Sequence, residues 1–196
     1  MREYDQIAEW YTSTRSPMIG LPEVAAFAEA LPVGAKVLDL GCGDGVPISR
    51  FLVEEGFEVV GLDSSAEMVR RFRANLPGVR VHLGRAQDAR VPLGSLDAVV
   101  AWGVVFHLAD ADQAAVLARA SEWLRPGGTL LFTSGDTAGA RDGTMDGVAF
   151  RYVSLDSEGY GRILERAGMH LVRDYVGSGG NHTYVAKKTA GPATAS

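Results

Sequence analysis

The residues in this chain best suited to chemistry are acids placed beside glycines. In VLDLGCGDGVP, residues 37 to 47, Gly41, Gly43 and Gly45 occupy alternate positions just after an aliphatic run that contains Asp39. Glycine tolerates positive φ and has no Cβ, so such a loop lets a ligand lie against bare main chain. Asp63 closes the next aliphatic run, EVVGLD. An acid about twenty residues beyond a glycine loop is well placed to accept hydrogen bonds from ribose hydroxyls. A phosphate-cradling hydrolase loop would need Lys and then Ser or Thr after its last glycine, but Val46 and Pro47 follow. A dinucleotide fingerprint, G-x-G-x-x-G, would need a third glycine where Val46 or Ile48 stands, depending on the count. The pattern therefore suits a ribose without a pyrophosphate.

These residues must be held by alternating strands and helices. KVLDL, EVVGLD, VRVHL, LDAVVAW and GTLLFTS are short, rich in Val and Leu, and read as buried strands. Helical periods lie between them. Ser64 and Glu67 form a capping box ahead of a face made by Met68, Phe72 and Leu76. Asp110 with Gln113 repeats the start signal before Leu117, Ala120 and Leu124, and PGG stops that helix. Pro47 suits the first position of a helix after the glycine loop. A helix over about 156–167 ends at Gly168, and MHLVRDYV and NHTYVAKK form a hairpin around GSGG. Strand–helix alternation implies an α/β fold with a doubly wound parallel sheet, ligands binding at the carboxyl ends of its strands.

Composition narrows the partners. The chain has 196 residues, a net charge of −5 and no basic block, which disfavours nucleic acid. The single cysteine, Cys42, cannot form an internal disulfide and suggests a reducing, cytoplasmic setting. MREYDQIAEW lacks a signal-peptide core, and AVVAWGVVF is too short to span a bilayer, so no membrane is expected. TAGPATAS, residues 189–196, reads as a disordered tail. The segment GDTAGARDGTMDGVAFRYVS is long enough to be functional or mobile. Its acids match no metal-loop spacing, and no metal is expected.

Five motifs in order resemble class I S-adenosylmethionine-dependent methyltransferases of the small-molecule type. VLDLGCGDG resembles their first motif, GLDSSAEMV the second-strand segment and SLDAVVAWGVVFHL the fourth strand with its loop. LRPGGTLLFTS resembles the fifth strand and HTYVAKK the last. The resemblance spans roughly 4–188 and implies one Rossmann-like domain over 1–188 with a seven-stranded sheet, its last strand antiparallel. It also implies S-adenosylmethionine as cofactor.

Carried over residue by residue, the resemblance implies that Asp39 supports the loop and the amino end of the methionine part. Gly41 and Gly43 would admit the cofactor to the backbone. Asp63 would hold both ribose hydroxyls, with Ser64 beside it and Met68 bordering the adenosine. Gln87 and Asp88 would offer the adenine contact. Ala101 and Trp102 would lie under the methionine part, with Trp102 also facing the acceptor. YDQIAEWYTSTR resembles a lid helix whose Tyr4 and Tyr11 share a face, Tyr11 over the cofactor and Tyr4 toward the acceptor. His107, Phe150 and Tyr152 would line the acceptor wall, and His107 or His182 would serve as a base. The acceptor is expected to be a small molecule, through O or N rather than C, on a monomer or homodimer. AWGV stands where amino-directed DNA methyltransferases carry Asx-Pro-Pro-aromatic. Alternatives are a protein methyltransferase, a protein that binds the cofactor without transferring methyl, and, less favoured, a nicotinamide enzyme.

Overall fold

The computed structural model describes residues 2–92 and 94–190. Seven strands form one sheet: β1 (Lys36–Leu40), β2 (Glu58–Asp63), β3 (Arg80–Leu83), β4 (Leu96–Ala101), β5 (Leu124–Ser134), β8 (Met169–Val176) and β9 (His182–Lys188). Their order is β3-β2-β1-β4-β5-β9-β8. β1 pairs in parallel with β2 and β4, and β4 with β5, whereas β9 is antiparallel to both β5 and β8. The order reverses at β1, so the carboxyl ends of β1 and β4 flank a switch point where ligands collect.

Strand pleating divides the core between two faces. Leu38 and Leu40 of β1 pack with Val99, Leu130 and Phe132. They meet α5 (Asp110–Trp123) and α6 (Ser157–Arg166) through Leu117 and Leu164. Val37 faces the other way with Val100 and Leu131, against α2 (Leu21–Ala28) and α3 (Ile48–Glu54). α4 (Ala66–Asn75) turns Val69, Phe72 and Leu76 toward Cys42 and Val81. α1 (Arg2–Thr14) packs against α4 and against the hairpin described next.

That hairpin is the principal departure from the sequence reading. Residues 139–154, expected as part of a loop, form β6 (Gly139–Met145) and β7 (Val148–Ser154), a separate two-stranded sheet. Asp146 and Gly147 join them, with φ of 46° and 76°. Positive φ at both central residues is the type I′ requirement that Asp-Gly satisfies, so a hairpin signal was present among the glycines.

Three local signals also resolve differently. Ser65, not Ser64, caps α4, its hydroxyl accepting from the Met68 N–H at 3.1 Å. Gln113 forms no capping box. Its amide donates to Leu108 and Val153 carbonyls at 2.9 and 2.8 Å, and its oxygen accepts from the Tyr160 hydroxyl at 2.7 Å. Helix α5 ends at Trp123, before PGG, because β5 already begins at Leu124. Asp156 caps α6 by accepting from the Gly159 N–H at 2.7 Å. Of the expected tail, Thr189 donates to the Gly168 carbonyl at 3.0 Å, and residues 191–196 lie outside the described residues.

Candidate active site

Asp39 and Asp63 end neighbouring strands and reach one enclosed cavity of about 100 Å³, together with Tyr4, Tyr11, Gly43 and Trp102. Gly41, Ser64 and Met68 line it as well. Nine of the sequence-predicted residues therefore converge, drawn from the ends of β1, β2 and β4, from α4 and from α1.

The Asp63 carboxylate ties the glycine loop to the start of α4. It accepts from the Gly43 N–H at 2.9 Å on one oxygen and the Ser65 N–H at 2.8 Å on the other. A carboxylate has about four lone-pair sites, so each oxygen can still accept from a ligand hydroxyl. Burial pushes its pKa up, against the pull of those two N–H groups. Asp39 lies deeper, 2 % exposed, and accepts from the Ser49 hydroxyl at 2.5 Å. Burial raises it to about 7, with the Ser49 hydrogen bond opposing.

The loop glycines answer different demands. Gly43 (φ 56°) faces open space: a Cβ there would meet only the Arg15 guanidinium, at 3.9 Å. This is the bare backbone a ligand needs. At Gly41 (φ 74°) a Cβ would come within 2.1 Å of Val104 Cγ2. There the missing side chain admits the loop after β4 rather than a ligand.

α1 covers the cavity from above. Asp5 accepts from the Ser65 hydroxyl at 2.6 Å and the Glu67 N–H at 3.1 Å. Arg15, 12 % exposed at its side chain, donates to Asp44 and to the Val46 carbonyl and lies 5.2 Å from the Tyr11 ring. Ligand pockets ordinarily measure about 300–1,000 Å³. This one is smaller, and Tyr4 and Tyr11 of α1 are among the residues that line it.

A second cavity, about 470 Å³, opens at the carboxyl end of β5 and is lined by Phe106, Asp136, Arg141, Tyr152 and His182. Residues 102–107 run between the two, Trp102 and Val104 on the first and Phe106 on the second. His107 sits in an aromatic box, 5.6 Å from Tyr4, 5.6 Å from Phe150 and 5.2 Å from Tyr152 by ring centroids. Its Nε2 lies 3.1 Å from the Tyr4 hydroxyl, and burial lowers its pKa to about 4. His182 instead has its Nε2 2.8 Å from Asp174, whose pKa is held down first by the Ser157 hydroxyl and then by His182.

The structure leaves three of the residues expected at the cofactor outside the first cavity. Ala101 is 1 % exposed and packs in the core beneath it. Gln87 and Asp88 occupy a short 3-10 turn, Ala86–Asp88, where Asp88 pairs with Arg85 at 2.8 Å. The sequence reading passed over Asp174 and Arg141, and took Asp136 only as one of the long segment's acids, any of which could serve as a base. A hairpin register carrying Val176 opposite His182 sets Asp174 diagonally from that histidine, so Asp174 was within reach of pairing arguments. Arg141 had no such signal.

Residues 37–128 match the family model described as a methyltransferase domain. That match, with the solved structures of like fold, assigns residues 37–128 to a class I S-adenosylmethionine-dependent methyltransferase domain. The chain is 31 % identical to a probable S-adenosylmethionine-dependent methyltransferase of Mycolicibacterium smegmatis, over 70 % of this chain and 53 % of the relative. It is 33 % identical to a mouse tRNA (carboxymethyluridine(34)-5-O)-methyltransferase, over 65 % of this chain and 18 % of that protein. The chain thus spans about half of the first relative and less than a fifth of the second. Among solved structures, the SAM-bound amino pentose methyltransferase of calicheamicin biosynthesis from Micromonospora echinaspora superposes with a TM-score of 0.73. That match has 21 % identity and covers 93 % of this chain and 95 % of that one. The cavity fits the family's cofactor in kind: Asp63 has spare lone pairs, Gly43 an open face and Asp39 a carboxyl without a cationic partner in reach. Among the described residues no helix is long and apolar enough to cross a membrane.

Proposed function

We propose that this protein moves a methyl group from S-adenosylmethionine to nitrogen or oxygen of a small-molecule acceptor, as one domain over 1–188 with α1 as its lid. The observation that carries the reading is a pair of cavities lined by one short segment, Trp102 and Val104 on the first and Phe106 on the second. The cofactor supplies a methyl already activated on a sulfonium. Asp63 would hold the ribose hydroxyls, with Ser64 and Met68 alongside, and Asp39 would face the ligand's ammonium. Gly43 would pass the chain of the ligand close to its backbone. Tyr11 and Trp102 would exclude water, and Tyr4, His107, Phe150 and Tyr152 would wall the acceptor. Holding two reactants in line can contribute about 7–11 kcal/mol.

The calicheamicin enzyme's amino pentose supports a small acceptor, as does the net charge of −5. The mouse relative's tRNA points the other way, but this chain matches only 18 % of it. The test is incubation with methyl-labelled cofactor and, in parallel, a pool of small metabolites, a protein extract and bulk tRNA. Label is expected in small molecules. Label confined to tRNA or protein would replace the acceptor class. Cofactor binding without product in any pool would favour the non-methylating alternative.

A further inference from the structure

His182 lines the second cavity with its side chain 13 % exposed. Its Nε2 is committed to Asp174 Oδ2 at 2.8 Å. Asp174 in turn accepts from the Ser157 hydroxyl at 2.5 Å, which fixes the carboxylate. A carboxylate is acceptor-only, so Nε2 carries a proton, and in the neutral imidazole Nδ1 then presents a lone pair. That Nδ1 is buried and has no hydrogen-bond partner. The nearest charged oxygen, Asp136 Oδ2, stands 3.9 Å away. Asp136 Oδ1 lies 3.2 Å from the Thr137 hydroxyl, which leaves Oδ2 turned to the histidine.

In the neutral imidazole two proton acceptors thus face each other, Nδ1 and Asp136 Oδ2. A lone pair beside a carboxylate is unfavourable, and a buried acceptor left unpaired costs stability. A group that bridges them brings at least two N–H or O–H bonds: water does so without charge, and a ligand that displaces it gains from a positive charge beside Asp136. An alcohol carries one such bond, and a carboxylate or phosphate carries none when ionised. A protonated primary or secondary amine carries two or three and a charge. The aromatic faces of Phe106 and Tyr152 on the same cavity suit a cation as well.

We infer that the second cavity takes an amine, held as its ammonium between His182 Nδ1 and Asp136. This rests on the methyl-transfer reading and narrows its acceptor to nitrogen. His182 is the catalytic residue, since it touches the reacting nitrogen, and Asp174 is a positioning residue that fixes its tautomer. The ammonium gives one proton to Nδ1, and the imidazolium formed lies between two carboxylates. The neutral amine keeps the lone pair that becomes the new N–C bond. The C–S pair leaves with sulfur, and His182 returns its proton to solvent. Of the two histidines, His107 lacks a carboxylate partner and is boxed by aromatic rings.

The experiment uses the full chain, labelled with ¹⁵N-histidine and loaded with S-adenosylhomocysteine. Benzylamine, protonated at neutral pH, and benzyl alcohol, its near-isostere, are titrated separately while the His182 ring nitrogens are followed by NMR. Benzylamine should shift Nδ1 saturably. The exposed Asp136→Asn variant, which removes charge without touching the core, should bind it at least ten-fold more weakly. Asp174→Asn should change the free protein's Nε2–H tautomer signature, which a merely structural role would not move. Equal or tighter binding of the alcohol, no shift with either probe, or indifference to Asp136→Asn would overturn the inference. Calorimetry with S-adenosylhomocysteine on the same samples separates the two claims. Binding there with a failed amine test leaves the methyl-transfer reading standing, and no binding removes the reading itself.

Discussion

Asp39 makes the most direct link between burial and function, and replacing it with Asn isolates that link. The carboxyl is 2 % exposed, and burial lifts it from the ordinary 3.8 to about 7. Asn keeps an acceptor for the Ser49 hydroxyl and cannot ionise. The sign follows from proton counts. Between about pH 4 and pH 7 the folded state holds a proton that the unfolded chain has lost, so stability falls as pH rises through that window. At about 1.4 kcal/mol per pH unit, the wild type should lose about 4 kcal/mol across it relative to Asp39→Asn. Urea unfolding of both proteins at pH 4.5 and 7.5 measures the difference directly. Ligand binding should reverse the effect, because an ammonium set against Asp39 favours the charged form. S-adenosylhomocysteine binding near pH 6 should then release a proton, read by calorimetry in two buffers of different ionisation enthalpy. Parallel pH slopes in the two proteins would refute the claim that burial raises this carboxyl's pKa. Wild-type proton release unchanged in Asp39→Asn would refute its place beside the ligand.

Other predictions concern the same frame. Asp63→Ala strands the Gly43 and Ser65 N–H groups and removes the ribose acceptor, so S-adenosylhomocysteine should bind about 1–3 kcal/mol more weakly by calorimetry. Unchanged affinity would count against the assignment. Gly41→Ala carries a left-handed φ of 74° and a 2.1 Å clash with Val104. It should destabilise by more than the about 1–2 kcal/mol of the backbone term alone, and adding Val104→Ala should restore part of the thermal stability. Tyr160→Phe removes a hydroxyl that lies 2.5 Å from Ser134, donates to Gln113 at 2.7 Å and accepts from the Leu155 N–H at 3.2 Å. A loss of about 1–3 kcal/mol is expected, with faster hydrogen exchange at Leu155.

How much of this was legible beforehand depended on the distance over which each feature is decided. Burial on both faces made the parallel strands continuous apolar runs, so β1, β2, β4 and β5 could be read directly. The glycine loop and Asp63 were legible for a related reason: backbone approach and ribose recognition demand particular residue types at a fixed spacing along one βαβ unit. The 139–154 hairpin was obscured because it is largely exposed, and its glycines and charges resemble those of a loop. Only Asp146-Gly147 announced it.

By itself, then, the sequence determined the α/β order, the antiparallel close and the acids that end β1 and β2. These are properties of local pattern, and the chain carries them before it folds. Tertiary structure alone decided the raised pKa of Asp39, the space that Val104 denies to a Cβ at Gly41, and the opposition of His182 and Asp136. Each arises from residues far apart in the chain brought within a few ångströms. Desolvation, steric exclusion and unpaired lone pairs exist only once that packing is complete.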